Sequence, residues 1–238
     1  MNKKTIKKIL EATPSLYNKI AEDFYQTRKK PWPITDLIKS YTDSAKNIID
    51  IGCGSGRLSE LIADNQYYLG IDNSSELIKI AQNNYYNRKN LTFQVQDITD
   101  NILTTKKFDL GLMIAVIHHI PTTELQLKIL KNIYKSLAIG GDLIITSWNL
   151  WQKDYRHHLF NYKLKFRQYK ILSFNDAFIP WKKNNVNESR YVHSFSKAEL
   201  KKLLELSGFQ IQEIFYEASG QKTSRFNGKN LVAIATKK

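Results

Sequence analysis

Asn47-Ile48-Ile49-Asp50-Ile51-Gly52-Cys53-Gly54-Ser55-Gly56 is the stretch on which the fold turns. Its first half is a short apolar run, and glycine then takes every second position. Such a run reads as a buried strand passing into a tight turn, where a missing Cβ lets backbone approach a ligand closely. Downstream the pattern alternates. Leu58, Leu61 and Ile62 form a helical stripe, and Tyr67-Tyr68-Leu69-Gly70-Ile71 is a second strand closed by Asp72. Ser74 or Ser75 caps a helix carrying Leu77, Ile78 and Ala81. Leu91 to Val95 is a third strand and Phe108 to Val116 a fourth. Thr122 or Thr123 caps a helix bearing Leu125, Ile129, Leu130, Ile133 and Leu137, which Gly140-Gly141 ends before a fifth strand, Asp142 to Trp148. Strands and helices alternating at this spacing predict βαβ units, a parallel sheet and, with right-handed crossovers, a doubly wound α/β fold.

Residues 1–41 read as helical. Pro14 opens a helix with Leu16, Tyr17, Ile20, Ala21 and Phe24 at helical spacing. Pro31-Trp32-Pro33 breaks it, and Ile34, Leu37, Ile38 and Tyr41 start another. Residues 149–190 break the alternation and are rich in Lys, Arg, Tyr, Phe and Asn, as an insertion above the carboxyl ends of the strands. After Tyr191 the rhythm resumes. Ser196 caps a helix from Lys197 to Leu206 that Gly208 ends, and Phe209 to Tyr216 with Asn230 to Thr236 form a closing strand pair. The expectation is one domain over 1–238: a lid (1–41), a core (42–148), the insertion (149–190) and a closing unit (191–238).

The 238 residues, 42% hydrophobic, suffice for one sizeable core. No apolar run approaches the roughly 20 residues of a membrane span. The basic start Met1-Asn2-Lys3-Lys4-Thr5-Ile6-Lys7-Lys8 leads into no signal-like apolar core, so a soluble, cytoplasmic protein with no membrane partner is expected. Cys53 is the single cysteine, which excludes an intrachain disulfide and a cysteine-built zinc site; it reads as a small packing residue, and no metal is expected. A net charge of +14 points to a polyanionic partner such as nucleic acid, with a lysine-rich genome bias as the blander source.

Glycines after strand one and a carboxylate ending strand two suit a dinucleotide as well as another nucleoside, since Asp72 can accept from both ribose hydroxyls. The dinucleotide fingerprint G-x-G-x-x-G needs a glycine where this chain has Arg57. Gly52, Gly54 and Gly56, with Asp50 two residues ahead, follow D-x-G-x-G-x-G. This form resembles the first motif of the class I methyltransferases, whose methyl donor is S-adenosylmethionine. That resemblance implies a Rossmann-like, mostly parallel seven-stranded sheet with N-terminal helices and an insertion after strand five. It places Asp72 on the ribose, the Asp97-Ile98 region at the adenine, and the Gly52-Cys53-Gly54 backbone and Ala115 near the methionine end, with Asp50, Gly56 and Asn73 as further cofactor-binding residues. Tyr17 would lie over the cofactor, and Arg28 would bind its carboxylate or that of the substrate.

Two further segments are more specific. Tyr17-Asn18-Lys19-Ile20-Ala21-Glu22-Asp23-Phe24-Tyr25-Gln26-Thr27-Arg28-Lys29-Lys30-Pro31-Trp32-Pro33 and Ile114-Ala115-Val116-Ile117-His118-His119-Ile120 stand with Arg190-Tyr191-Val192-His193. Together they resemble the eukaryotic-type tRNA methyltransferases that esterify 5-carboxymethyluridine at the wobble position. The resemblance implies a tRNA anticodon loop as substrate. It also raises a small zinc-binding activator subunit as a partner, and the sequence does not decide whether this chain needs one. A carboxylate is ionised at neutral pH, so no general base is required, and arginine suits its two oxygens. Arg28 and Arg190 are the candidates, with His118, His119 and His193 as donors or orienters. One of the two adjacent histidines would point into the core if the chain is extended there. Lys30, Trp32, Tyr191, Arg156, Arg167 and Arg225 are the expected substrate contacts, with Trp32 read either as a packing anchor between two prolines or as a platform for stacking a base. Basic and aromatic residues of the insertion (Lys153, Lys163, Lys165, Lys170, Lys182 and Lys183 among Tyr155, Tyr162, Phe166, Tyr169 and Trp181) suit phosphates and unpaired bases. A small-metabolite methyltransferase and a non-catalytic RNA-binding module are the competing readings.

Overall fold

The computed structural model describes residues 1–28, 32–100, 106–160, 173–181 and 188–238. The expected alternation is present. Strands β1 (Asn47–Ile51), β2 (Tyr67–Asp72), β3 (Leu91–Val95), β4 (Phe108–Ile114) and β5 (Leu137–Trp148) run parallel, and β8 (Phe209–Ala218) and β10 (Asn230–Lys237) close the sheet antiparallel. The order is β3-β2-β1-β4-β5-β10-β8-β9, where β9 (Gln221–Thr223) is a short eighth strand added to the expected seven. The order reverses direction between β1 and β4. Ligands of open α/β sheets bind outside the carboxyl ends of the strands at such a switch point.

Both faces of the sheet are covered, and this is why its central strands read as continuous apolar runs. Ile48 and Ile49 are both fully buried on opposite faces. Ile49 packs with Ile71, Met113 and residues of α5 (Thr123–Ser136) and α7 (Lys197–Leu206). Ile48 packs with Leu110, Leu112 and residues of α3 (Thr35–Thr42) and α4 (Ser75–Asn84). Caps fall where side-chain oxygens can take an orphan N–H: Ser74 accepts from Leu77, Thr122 from Leu125, and Ser196 forms a capping box with Glu199.

Four local expectations change. Pro14 lies inside α1 (Lys3–Lys19), which starts instead at the Asn2 cap; α2 (Ala21–Thr27) follows directly. The stripe Leu58-Leu61-Ile62 belongs to a 3-10 turn, Arg57–Leu61, because Leu58 and Ile62 reach the core without a full helix. Helix α5 ends at Ser136, and Gly140-Gly141 lie within β5 where its register with β4 shifts. The boundary at 190 falls inside a strand. Segment 149–193 holds the one-turn α6 (Arg156–Leu159) and a hairpin of β6 (Asp176–Pro180) with β7 (Ser189–His193). Leu150, Leu159, Ala177, Ile179 and Val192 give it a small core of its own.

Candidate active site

A cavity of about 920 Å³ opens at the switch point, beneath α1, α2 and the β6–β7 hairpin. Its floor is the glycine loop. Gly52 and Gly54 have φ of +77° and +56°, a region L side chains enter at a cost of about 1–2 kcal/mol. A Cβ on Gly52 would also lie 2.3 Å from Val116 Cγ2. Both residues line the cavity with Cys53. Gly56 does not: its φ of +79° makes the turn, and a Cβ there would meet the Phe93 ring at 2.8 Å. Cys53 is buried, and burial raises its thiol well above the usual range, so it is a packing group.

Three carboxylates line this half. Asp50 is buried at the end of β1 and accepts from Tyr68 Oη at 2.7 Å. Burial outweighs that hydrogen bond and pushes Asp50 up to about 7. Asp72 accepts from the amides of Gly54 (2.9 Å) and Ser74 (2.8 Å), one on each oxygen. The Asn73 amide also favours its charged form, and with about four acceptor sites the carboxylate keeps capacity for a ligand hydroxyl. Asp97, exposed at the rim, accepts from the Thr99 amide at 2.8 Å and stands beside the buried Ile98. Asn73 lines the wall next to Asp72. Ala115 holds a left-handed φ of 60° at the end of β4, its N–H shared between the carbonyl and hydroxyl oxygens of Thr146. Open space over glycines, flanked by carboxylates free to accept more bonds, fits a nucleoside-bearing cation such as S-adenosylmethionine.

The other half is basic and aromatic. His118 and His119 lie in a 3-10 turn, Ile117–His119, so they do not alternate as neighbours on a strand would, and both line the cavity. Their partners assign their protons. The backbone N–H of Trp148 donates to His118 Nδ1 at 3.2 Å, leaving Nε2–H as the donor edge. His119 Nδ1–H donates to the Tyr191 carbonyl at 2.7 Å, so Nε2 accepts from Tyr17 Oη at 3.2 Å. Burial lowers both, His118 well below the ordinary range and His119 to about 4, with the Arg190 charge acting in the same direction and the Tyr191 hydrogen bond opposing it at His119. Both rings are neutral at pH 7.

Arg190 reaches this end from β7 and is only 7% exposed. Its guanidinium lies 4.4 Å from the Trp148 ring centroid and 5.5 Å from that of Trp181. One N–H points to Tyr17 Oη at 3.5 Å, while among the described residues the buried Nε of Arg190 and Nε1 of Trp181 have no partner. Arg28, at the end of α2, stands over the Phe24 ring at 4.8 Å. Its pKa is lowered by burial first; Tyr17 opposes and Arg190 adds to the lowering. Among the described residues no carboxylate forms an ion pair with either arginine. Trp32 lines the cavity with Arg57 at 5.2 Å over its ring and packs on the α3 side of the core, so it serves both as wall and as anchor.

Several expected site residues lie elsewhere. His193 does not line the cavity: its Nδ1 meets Asp176 at 2.6 Å and its Nε2 meets Glu199 at 2.9 Å. Burial disfavours its charge, but the hydrogen bonds to both carboxylates prevail and push it up to about 9. Tyr191 also turns away, donating to Asp176 at 2.7 Å, and serves the site only through its carbonyl. Arg156 and Arg225 lie outside the cavity. Lys30 and Arg167 fall outside the described residues, as do Lys163, Lys165, Lys170, Lys182, Lys183, Tyr162, Phe166 and Tyr169. Asp176 and Glu199 had no sequence signal. Trp148 had one, its place at the carboxyl end of a strand beside the switch point.

Residues 42–215 match the family model described as a methyltransferase domain. The tRNA (carboxymethyluridine(34)-5-O)-methyltransferase of Schizosaccharomyces pombe is 28% identical over 230 residues, covering 87% of this chain and 92% of that protein. The enzyme of the same description from Saccharomyces cerevisiae is 32% identical over 173 residues, or 72% of this chain, which spans about half (56%) of that protein. A crystal structure of an S-adenosylmethionine-dependent methyltransferase from Methanosarcina mazei superposes with a TM-score of 0.68 at 25% identity, covering 84% of this chain and 96% of that one. With the glycine floor and the carboxylates of the cavity, these matches place the chain in the class I S-adenosylmethionine-dependent methyltransferases.

Proposed function

We propose that this methyltransferase esterifies the carboxylate of a 5-carboxymethyl-type uridine at the wobble position of tRNA. The observation that carries the reading is Arg190: a buried guanidinium beside two indoles, with no carboxylate partner and no partner on its Nε among the described residues. A buried donor left unsatisfied costs about 1–3 kcal/mol, which an anionic ligand would recover. The similarity to the two yeast tRNA enzymes supports a carboxylate on tRNA as that anion. S-adenosylmethionine supplies an electrophilic methyl group on a sulfonium.

Each residue of this chain then has a role that needs no proton transfer. Arg190, aided by Arg28, holds the substrate carboxylate and aligns one oxygen toward the carboxylate-lined half of the cavity. His118 donates from Nε2 and orients that group. Neutral rings suit this task, because a nearby imidazolium would compete for the nucleophilic oxygen. Tyr17 accepts from Arg190 and donates to His119, tying α1 over the reacting centre. Asp72 and Asp97 hold the nucleoside of the methyl donor, Asp72 at the ribose. Trp32 walls the cavity beside them.

The test is incubation of the purified protein with labelled S-adenosylmethionine and total tRNA, followed by nucleoside mass spectrometry. An alkali-labile methyl group on a uridine is the expected product. Label on a base carbon or nitrogen, or none on tRNA with turnover of a small carboxylic acid instead, would sink the reading.

A further inference from the structure

The insertion carries a second surface outside the catalytic cavity. A shallow recess of about 560 Å³ is lined by Lys153, Arg156, His157 and Phe160, none of them acidic. His157 lines both this recess and the main cavity, so the two are contiguous. Phe160 also belongs to an aromatic cluster. It meets Trp151 edge to face at 6.4 Å and 85°, and Phe226 meets the same indole from the β9–β10 loop at 6.3 Å and 80°. Phe160 is 53% exposed and Phe226 59%. Arg225 lies over Trp151 at 4.3 Å, and among the described residues the buried Nε of Arg225 and Nε1 of Trp151 have no partner.

Exposed rings held at fixed angles do not serve a core, and these add little to the small one beneath them. Cations beside them would repel a basic partner and attract a polyanion. Rings stack on the faces of unpaired bases while lysine and arginine take the phosphates between. Asp154 stands in the same segment but lines the main cavity instead.

We propose that Trp151, Phe160 and Phe226, with Lys153, Arg156 and Arg225, form a docking platform for unpaired nucleotides adjoining the target base, entered across His157. The proposal rests on RNA being the substrate and adds where its flanking nucleotides sit. In this arrangement the target base enters the cavity, and its single-stranded neighbours stack on the exposed rings.

The test uses the full-length protein and a fluorescent uridine-rich single-stranded RNA heptamer, read by anisotropy, with tRNA methylation measured in parallel. Phe160→Ala and Phe226→Ala alter exposed rings, so folding is preserved, and unchanged S-adenosylmethionine affinity in each variant checks this. Each is expected to weaken heptamer binding roughly 5- to 100-fold, the loss that goes with one stacked base. Arg156→Ala is expected to lower the salt dependence of binding by about 0.7 in log–log slope. Heptamer affinity unchanged in both phenylalanine variants would overturn the platform, leaving a protein partner as its occupant. Platform-dependent heptamer binding without tRNA methylation by the wild-type protein would uphold the platform and refute the substrate instead.

Discussion

Replacing Arg190 by methionine separates function from stability. The side chain is buried beside Trp148 and Trp181, and among the described residues its Nε has no partner and no carboxylate balances its charge. For stability, Arg190→Met removes an unpaired donor whose burial costs about 1–3 kcal/mol. It forfeits cation–π attraction to two indoles, roughly 0.5–2 kcal/mol each. Methionine keeps the stem volume and packs well on aromatic rings. These contributions nearly cancel, so stability should stay within about 2 kcal/mol of the parent, a melting shift of at most about 8 °C for a chain of this size. For activity, the two charge-assisted hydrogen bonds to the proposed acceptor carboxylate would be lost, about 1.5–3 kcal/mol each. At about 1.4 kcal/mol per factor of ten, kcat/KM should fall roughly 10²- to 10⁴-fold. The assay is methyl transfer from labelled S-adenosylmethionine to tRNA, with thermal melting and cofactor affinity measured on the same preparation. A variant that methylates at near-parental kcat/KM refutes the carboxylate role. One that loses activity only in step with unfolding shows that Arg190 is structural.

Three further outcomes follow from the same geometry. Gly52→Ala combines a left-handed backbone with a Cβ 2.3 Å from Val116, so calorimetry should show cofactor affinity down at least about tenfold with stability down about 2–4 kcal/mol. Adding Val116→Ala should recover only the clash; full recovery would mean the backbone is unstrained. His193, raised from its ordinary value to about 9, stabilises the fold fully below about pH 6.5, and that contribution is lost as pH rises through 9. The loss is on the order of 3 kcal/mol, so His193→Gln should flatten the melting temperature between pH 6.5 and 9, and an unchanged slope would count against the Asp176–His193–Glu199 network. Tyr17→Phe keeps the ring against Phe24 but unlinks α1 from His119 and Arg190. Methyl transfer should drop roughly 5- to 10-fold with little change in melting, about the effect of the His119 hydrogen bond with a small addition from the long 3.5 Å contact to Arg190; parental rates would show that the hydroxyl does not act.

By itself the sequence determined the sheet and the residues that line one half of the cavity. Ile48 to Ile51 running into Gly52, Gly54 and Gly56, Asp72 ending the next strand and Asp97 following the third are local signals. Strand periodicity, glycine turns and strand-end carboxylates lie within a few residues of one another, and the sheet brings their ends together by rule. Helix caps at Ser74, Thr122 and Ser196 were legible for the same reason. Tertiary structure decided the other half. That His118 and His119 both face the cavity depends on a 3-10 turn no periodicity announced. That Arg190 enters the cavity while Tyr191 and His193 turn away depends on β7 pairing with β6, and Asp176 captures both of the latter across that hairpin. Tyr17 meets His119 across 102 residues and Arg190 across 173. Such contacts are set by how α1 and the hairpin pack over the sheet, and packing between distant segments leaves no trace in local spacing.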